Sequence, residues 1–201
     1  MAFNENAKSA INVKRLVIWA SNGDGTFGTA IDCGERIQGF DDNLTTNTAV
    51  QYADGIPVDS YTGTGTGALS YTLTELTAAE RGTLYGQDVS GSLVTLTGDE
   101  IIPDVMCAHA TQRSDGKLNL YKYAKVKFAP HQETAKQIED GQATFSGVTI
   151  NGTYSAGEVS VTSEGTTTTE VWMKKVYRGA DPTTDATLIS NWFTTASFTG
   201  E

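Results

Sequence analysis

Hydrophobic and polar positions alternate along most of this chain with a period of two, the spacing of a strand, and one stretch carries the wider spacing of a helix. Lys14 to Ala20 predicts a first strand, with Val13, Val17 and Trp19 on one face and Leu16 and Ile18 on the other. Both faces are apolar, so the strand is expected to be covered on both sides. Ser21-Asn22-Gly23-Asp24-Gly25 predicts a tight turn, because Asn-Gly and Asp-Gly pairs tolerate φ > 0, and a return strand is expected over Thr29–Ile37. From Asp41 to Gly67 the pattern thins to polar residues around a short alternating run at Thr48–Tyr52, and it ends in the tract Gly63-Thr64-Gly65-Thr66-Gly67. This reads as a long excursion, partly extended and mobile, with the glycine tract as a flexible hinge. Loops of that length in a compact domain are functional or ordered by a partner, which makes 41–67 a candidate interaction arm.

Leu69, Tyr71 and Leu73 alternate with Ser70, Thr72 and Thr74, the mark of a half-buried strand. Thr77-Ala78-Ala79-Glu80 then has the spacing of a capping box and opens the single expected helix, about 77–85, with Leu76, Ala79, Thr83 and Leu84 inward and Gly86 as the stop. A strand is expected over Ile101–Ala110 and a hairpin turn at Ser114-Asp115-Gly116-Lys117. The next dozen residues alternate: Leu118, Leu120, Ala124, Val126 and Phe128 on one face, Tyr121, Tyr123, Lys125 and Lys127 on the other, with Lys122 the misfit. At about 3.3 Å per residue that strand is about 40 Å long, suited to a large sheet or a shared barrel. A polar linker over His131–Gly141 and a strand through Phe145, Val148, Ile150 and Tyr154, with a bulge at Ser146-Gly147, come next. Glu158–Thr169 offers little core, and final strands are expected over Val171–Tyr177 and Thr187–Phe198. No period of 20–50 residues repeats, which argues against solenoids and propellers.

Composition agrees with a β-rich chain. The 201 residues include 30 threonines and only 4 prolines, and the branched Cβ of Thr favours strands. The length suits one domain. The net charge of −10 disfavours sequence-independent binding to nucleic acid, which needs Lys and Arg to displace counterions. The surplus is uneven, −8 over residues 1–100 and −2 over 101–201, so one surface is expected to be much more negative than another. Cys33 and Cys107 form no CxxC pair and read as buried free thiols. Neither a secretory leader nor a membrane-spanning stretch is recognised, and a soluble product made in a cytosol is expected.

No catalytic, cofactor-binding or metal-ligating residue is nominated. His109 and His131 lack partners at ligand spacing. Asn22-Gly23-Asp24-Gly25-Thr26 opens like a calcium loop, but Phe27 stands where glycine is needed and Cys33 where a bidentate Glu is needed. Gly63–Gly67 lacks the Lys and the following helix of a phosphate cradle. Asp41-Asp42, Asp99-Glu100 and Glu139-Asp140 are adjacent pairs whose side chains point apart, so they read as solvated charge rather than as an acid and base. No serine sits in a Gly-x-Ser-x-Gly elbow, and the expectation is a protein that is not an enzyme.

The order of elements from Asp104 through Thr153 carries a resemblance: a strand, the Ser114-Asp115-Gly116-Lys117 turn, the Tyr- and Lys-bearing strand to Phe128-Ala129-Pro130, Glu133-Thr134, then Ala143-Thr144-Phe145 leading to Gly147-Val148-Thr149-Ile150. With the Asn12-Val13 strand, Ala53-Asp54-Gly55 and the helix ending Leu84-Tyr85-Gly86, it resembles the major tail protein of long-tailed siphophages over roughly residues 8–155. The chain departs from that pattern at Val105-Met106-Cys107-Ala108-His109, and 158–201 matches no motif of it.

The resemblance implies a mainly β fold of the β-sandwich or barrel-type tail-tube kind, with one short helix and a long extended arm. Residues 1–157 would form the tail-tube domain and 158–201 a C-terminal extension adding strands to it. It further implies a structural virion protein, the tail tube subunit, assembled in the host cytoplasm into stacked homo-hexameric rings that conduct DNA without binding it specifically. Tape-measure, distal tail and tail terminator proteins would be its partners, with no cofactor and no membrane. An acidic lumen would repel phosphate, and the arm would be ordered by the next ring. The alternative is a carbohydrate- or surface-binding β-sandwich module of the decoration or adhesin type, which requires an exposed aromatic platform; Trp19, Trp172 and Trp192 are the residues that decide it.

Overall fold

The computed structural model describes residues 8–53, 56–131, 147–163, 166–194 and 196. The two-residue alternation becomes strands almost throughout. The first is β1 (Ala10–Ser21), which turns at Asn22–Thr26 into β2 (Phe27–Asp32). A short 3-10 turn over Gly34–Arg36 leads into β3 (Ile37–Ala53), which pairs along its whole length with β4 (Ile56–Leu73). Helix α1 (Ala78–Tyr85) and the small hairpin of β5 (Asp88–Ser90) with β6 (Leu93–Thr95) precede the central pair β7 (Val105–Arg113) and β8 (Leu118–Ala129). Then come β9 (Val148–Ser155), the hairpin β10 (Gly157–Ser163) with β11 (Thr166–Trp172), β12 (Lys174–Ala180) and helix α2 (Ala186–Thr194).

The main sheet is antiparallel in the order β2-β1-β7-β8-β9-β4-β3. Strand β8 forks it: Leu118–Tyr123 pairs with β12, and Lys125–Ala129 pairs with β9. The sheet curls on itself, since Phe40 of β3 lies 4.3 Å from the His109 ring of β7, four strands away in the pairing order. The result is a β-sandwich and barrel-like body, mainly strand, as expected from the alternation.

Each face of this sheet carries its own core. Leu16, Ile18, Leu69, Tyr71, Leu73, Val126, Phe128 and Ile150 fill the concave side under Leu84 and Tyr85 of α1. Val17, Trp19, Met106, Ala108, Leu120 and Ala124 fill the other side, under Val159 and Val161 of β10 and Trp192 and Phe193 of α2. At about 25 cal/mol per Å² of apolar surface, such two-sided burial is the main stabilising force of the body.

Five expectations change. First, Val13 packs with Leu16 and Ile18 rather than with Val17 and Trp19, because a bulge at Arg15 (φ 43°) shifts the register against β7. Second, the long strand does not keep one apolar face. Val105 pairs with Val126 but Cys107 with Tyr123, so a bulge at Ala124-Lys125 reverses the phase; Leu120 and Ala124 enter one core, Val126 and Phe128 the other. Lys122, on the face of Leu120 and Ala124, is buried, its amine over the rings of Trp19 (5.1 Å) and Trp192 (5.6 Å), and burial, with the nearby Lys175 charge, lowers its pKa to about 7.

Third, Ala186–Thr194 is a helix, not part of a strand over Thr187–Phe198. Leu188, Ile189, Trp192, Phe193 and Ala196 recur at i, i+1, i+4, i+5 and i+8, a helical stripe that packs on the second core. Fourth, Glu158–Thr169 does contribute core, through Val159 and Val161. Fifth, 41–53 and 56–67 are paired strand rather than loop, and the glycine tract lies within β4.

The first helix follows its sequence signal. Thr77 Oγ1 accepts from the Glu80 N–H, Glu80 accepts from the Thr77 N–H at 2.8 Å, and Gly86 takes the left-handed cap (φ 68°). Its buried residues are Glu80, Leu84 and Tyr85, with Leu76 beside them, whereas Ala79 is exposed. Glu80 is turned inward because Arg36, from the 3-10 turn, donates to both its oxygens. Of the expected linker at His131–Gly141 and the bulge at Ser146-Gly147, all but His131 and Gly147 fall outside the described residues.

Candidate functional site

Strand β4 pairs with β9 only over Gly67–Leu73. Beyond that point, from Thr46 opposite Thr64 to Ala53 opposite Ile56, β3 and β4 have, among the described residues, only each other as partners. At about 3.3 Å per residue, residues 44–53 extend the ribbon about 30 Å past the sheet. A lone two-stranded ribbon is marginal in water, and both of its edges present unpaired N–H and C=O groups.

Beside the proline and charge usual on an exposed edge, Pro57 and Asp59, the ribbon carries large apolar side chains. From Gly39 onward β3 alternates without an insertion, so Phe40, Asp42, Leu44, Val50 and Tyr52 share one face. Phe40 and Asp42 lie within the body; Leu44, Val50 and Tyr52 continue the same row into solvent. Tyr52 and Ile56 are each 65% exposed, Val58 58% and Tyr61 73%. Apolar side chains concentrated on one projecting element mark an interaction surface. The Tyr61 ring lies along the ribbon over Gly63, where a Cβ would stand 2.9 Å from it.

A polar knot holds the root of this arm. Asp42 accepts from the Tyr154 hydroxyl at 2.6 Å, from the Tyr123 hydroxyl at 2.9 Å and from the Lys174 amine, so β9, β8 and β12 all converge on β3. Burial by itself would raise the Asp42 carboxyl; the hydrogen bonds from Lys174, Tyr154 and Tyr123 outweigh it and hold the group below its ordinary value. Gly67 belongs to the knot, because a Cβ there would sit 2.0 Å from the Tyr154 ring.

Behind the knot, His109 stacks on Tyr121 (4.7 Å, 8°), contacts Phe40, and shares a hydrogen bond of 2.9 Å between Nδ1 and the Tyr71 hydroxyl. The Cys107 thiol is 3.6 Å from the same hydroxyl. Burial lowers the His109 pKa to about 3 and pushes Cys107 up to about 12. Neutral and fully buried, these groups tie β4 to β7 across the concave face.

The remaining residues singled out by sequence are dispersed. His131 bonds the Tyr85 hydroxyl at 3.0 Å, and Cys33 is buried beside Glu80, with burial raising its pKa. Asn22–Thr26 is a turn in which Asp24 accepts from the Thr26 N–H at 2.9 Å, with Gly23 and Gly25 at positive φ. Glu100 accepts from the Gly98 N–H at 3.0 Å and from the Thr97 N–H within its own loop. Asp41 is exposed as expected, but Asp42 is not solvated charge; a tyrosine pair and a lysine distant in sequence bury it. Glu139-Asp140 lies outside the described residues. Trp19 and Trp192 are buried and Trp172 is half-buried with the Lys175 amine 5.1 Å from its ring. Among the described residues no group of three or more His, Cys, Asp or Glu could hold a metal, and no helix is long and apolar enough to cross a membrane.

The chain matches no family model and no curated protein. Among solved structures it is similar to a chain of the anti-feeding prophage baseplate, determined by cryo-electron microscopy with six-fold symmetrisation. That similarity has a TM-score of 0.38 and 9% identity, and covers 86% of this chain and 97% of the other. A likeness of this size carries no argument about what the chain does.

Proposed function

We propose that this chain is a structural subunit of a phage tail, the tube protein whose copies join into rings that stack into a conduit for DNA. The β3–β4 arm carries the reading. A ribbon about 30 Å long and two strands wide, carrying the exposed apolar side chains of Leu44, Val50, Tyr52, Ile56, Val58 and Tyr61, has no partner strand among the described residues, and a neighbouring copy would supply one. The outer edges of β2 and β3 have no partner strand among the described residues, and pairing between subunits would remove them as aggregation sites. A head-to-tail contact of that kind closes into rings or runs on as a filament. The resemblance of the element order in the sequence to that of siphophage major tail proteins supports the same reading.

The glycan-binding alternative finds no grouped aromatic platform among the described residues. Trp192 and Trp19 are core residues, and the exposed Tyr52 and Tyr61 fall on opposite faces of the ribbon, since Tyr61 faces Ala49, three positions from Tyr52. The test is electron microscopy of the concentrated protein beside a variant in which residues 45–66 are replaced by Asn-Gly. Leu44 and Gly67 stand opposite each other, so a two-residue turn joins them without disturbing the body. Rings or tubes are expected from the parent, and a folded protein that does not stack from the variant. A parent that stays monomeric at high concentration, or a variant that makes normal tubes, overturns the proposal.

A further inference from the structure

The outer face of β4, β9 and β8 holds a shallow apolar trough beside the root of the arm. Ala68, Thr153 and Lys127 lie directly opposite one another across the three strands, Ala129 lies in the next outward row, and Ile102 forms a side wall. Its rim is basic. The amines of Lys125 and Lys127 share one carboxylate, Asp104, at 3.4 and 3.6 Å, and both lysines are about half exposed. The arm has the opposite sign: residues 37–73 contain Asp41, Asp42, Asp54 and Asp59 and no Lys, Arg or His. On β4, Asp59 and Tyr61 lie two residues apart, opposite Gln51 and Ala49 in unbroken register, and so share one face.

We infer that this trough receives the arm of a second copy, with Tyr61 lying flat over Ala68 and Thr153 and Asp59 meeting Lys127. The inference rests on the proposed assembly and names its contact. The arm cannot fill its own trough: Ala68 is in the same strand, seven residues beyond Tyr61 and therefore about 23 Å away along a straight ribbon. Shape agrees as well, because small side chains at the trough let a flat ring on a ribbon approach as one sheet packs on another. Each copy offers one arm and one trough, so the contact propagates head to tail.

Charge exchange across the contact tests it. D59K and K127E, alone and together, are compared with the parent by sedimentation and electron microscopy; both positions are exposed, and circular dichroism verifies the fold. Each single reversal is expected to raise the concentration needed for assembly about threefold to tenfold, and the pair to bring it back toward the parent value. A Y61C and T153C pair in otherwise normal assemblies is expected to cross-link between chains, the native thiols being buried. If the parent assembles but the singles behave like it, the double variant is no better than the worse single, or the cysteines never join, the trough is not the arm's seat although the tube reading stands. A parent that never assembles overturns both.

Discussion

Asp42→Asn removes the charge at the root of the arm while keeping the side-chain shape. In the parent, three donors from three strands converge on this carboxylate, whose side chain is 10% exposed. A hydrogen bond to a charged group contributes about 1.5–3 kcal/mol. The Lys174 share is discounted because its amine is partly solvated and can turn outward. The amide keeps one acceptor for Tyr154 but gives Tyr123 and Lys174 a weaker partner or none. The expected loss is about 2–3 kcal/mol at pH 7, equivalent to a fall in Tm of about 5–10 °C for a chain of this length. Urea titration followed by circular dichroism measures it.

The pH dependence provides an independent check on the same substitution. The folded Asp42 carboxyl is held below its unfolded value of about 3.9, so its contribution is complete above that pH and disappears as pH falls through the folded pKa. The gap between parent and D42N should therefore be full at pH 7 and close below about pH 4. A D42N protein within about 0.5 kcal/mol of the parent at pH 7 refutes the knot as an energetic element. So does a gap that stays constant down to pH 2.5.

Two further outcomes follow from the same interior. His109 is buried neutral with its pKa near 3, so the folded state binds fewer protons than the unfolded one between that value and about 6.5; stability should fall as pH drops through this window, and H109F should flatten the slope in denaturant titrations at pH 7, 5.5 and 4.5. Gly67→Ala places a Cβ against the Tyr154 ring and must displace its hydroxyl from Asp42, with an expected cost of about 1–3 kcal/mol; a thermal melt unchanged from the parent would show that the ring moves freely.

Strand content, the turns at Asn22–Thr26 and Ser114–Lys117, the first helix with its capping box, and the long eighth strand were legible because each depends on residues within a few positions of one another. Register depends on more distant partners. The bulges at Arg15 and Ala124-Lys125 each insert one residue and exchange the faces of everything beyond, and no local signal at Arg15 or Lys125 announces this. The second helix is visible in the Leu188, Ile189, Trp192, Phe193 spacing, but the flanking Thr187, Thr194 and Thr195 favour a strand reading. The arm read as a loop because the pairing of Ile37 with Leu73 and of Ala53 with Ile56 relies on cross-strand partners rather than on an apolar period.

By itself the sequence determined a mainly β chain, acidic in its first half, with an unusual stretch from Asp41 to Gly67 that a neighbour could order. The tertiary structure decided that this stretch is a paired two-stranded ribbon, and it decided where that ribbon is rooted. Asp42, Tyr123, Tyr154 and Lys174 are separated by up to 132 residues, and Lys122 reaches Trp192 across 70, so their proximity exists only once the sheet has curled. Period and turn chemistry are properties of short segments, whereas burial, pKa and charge pairing are properties of the space that distant segments enclose.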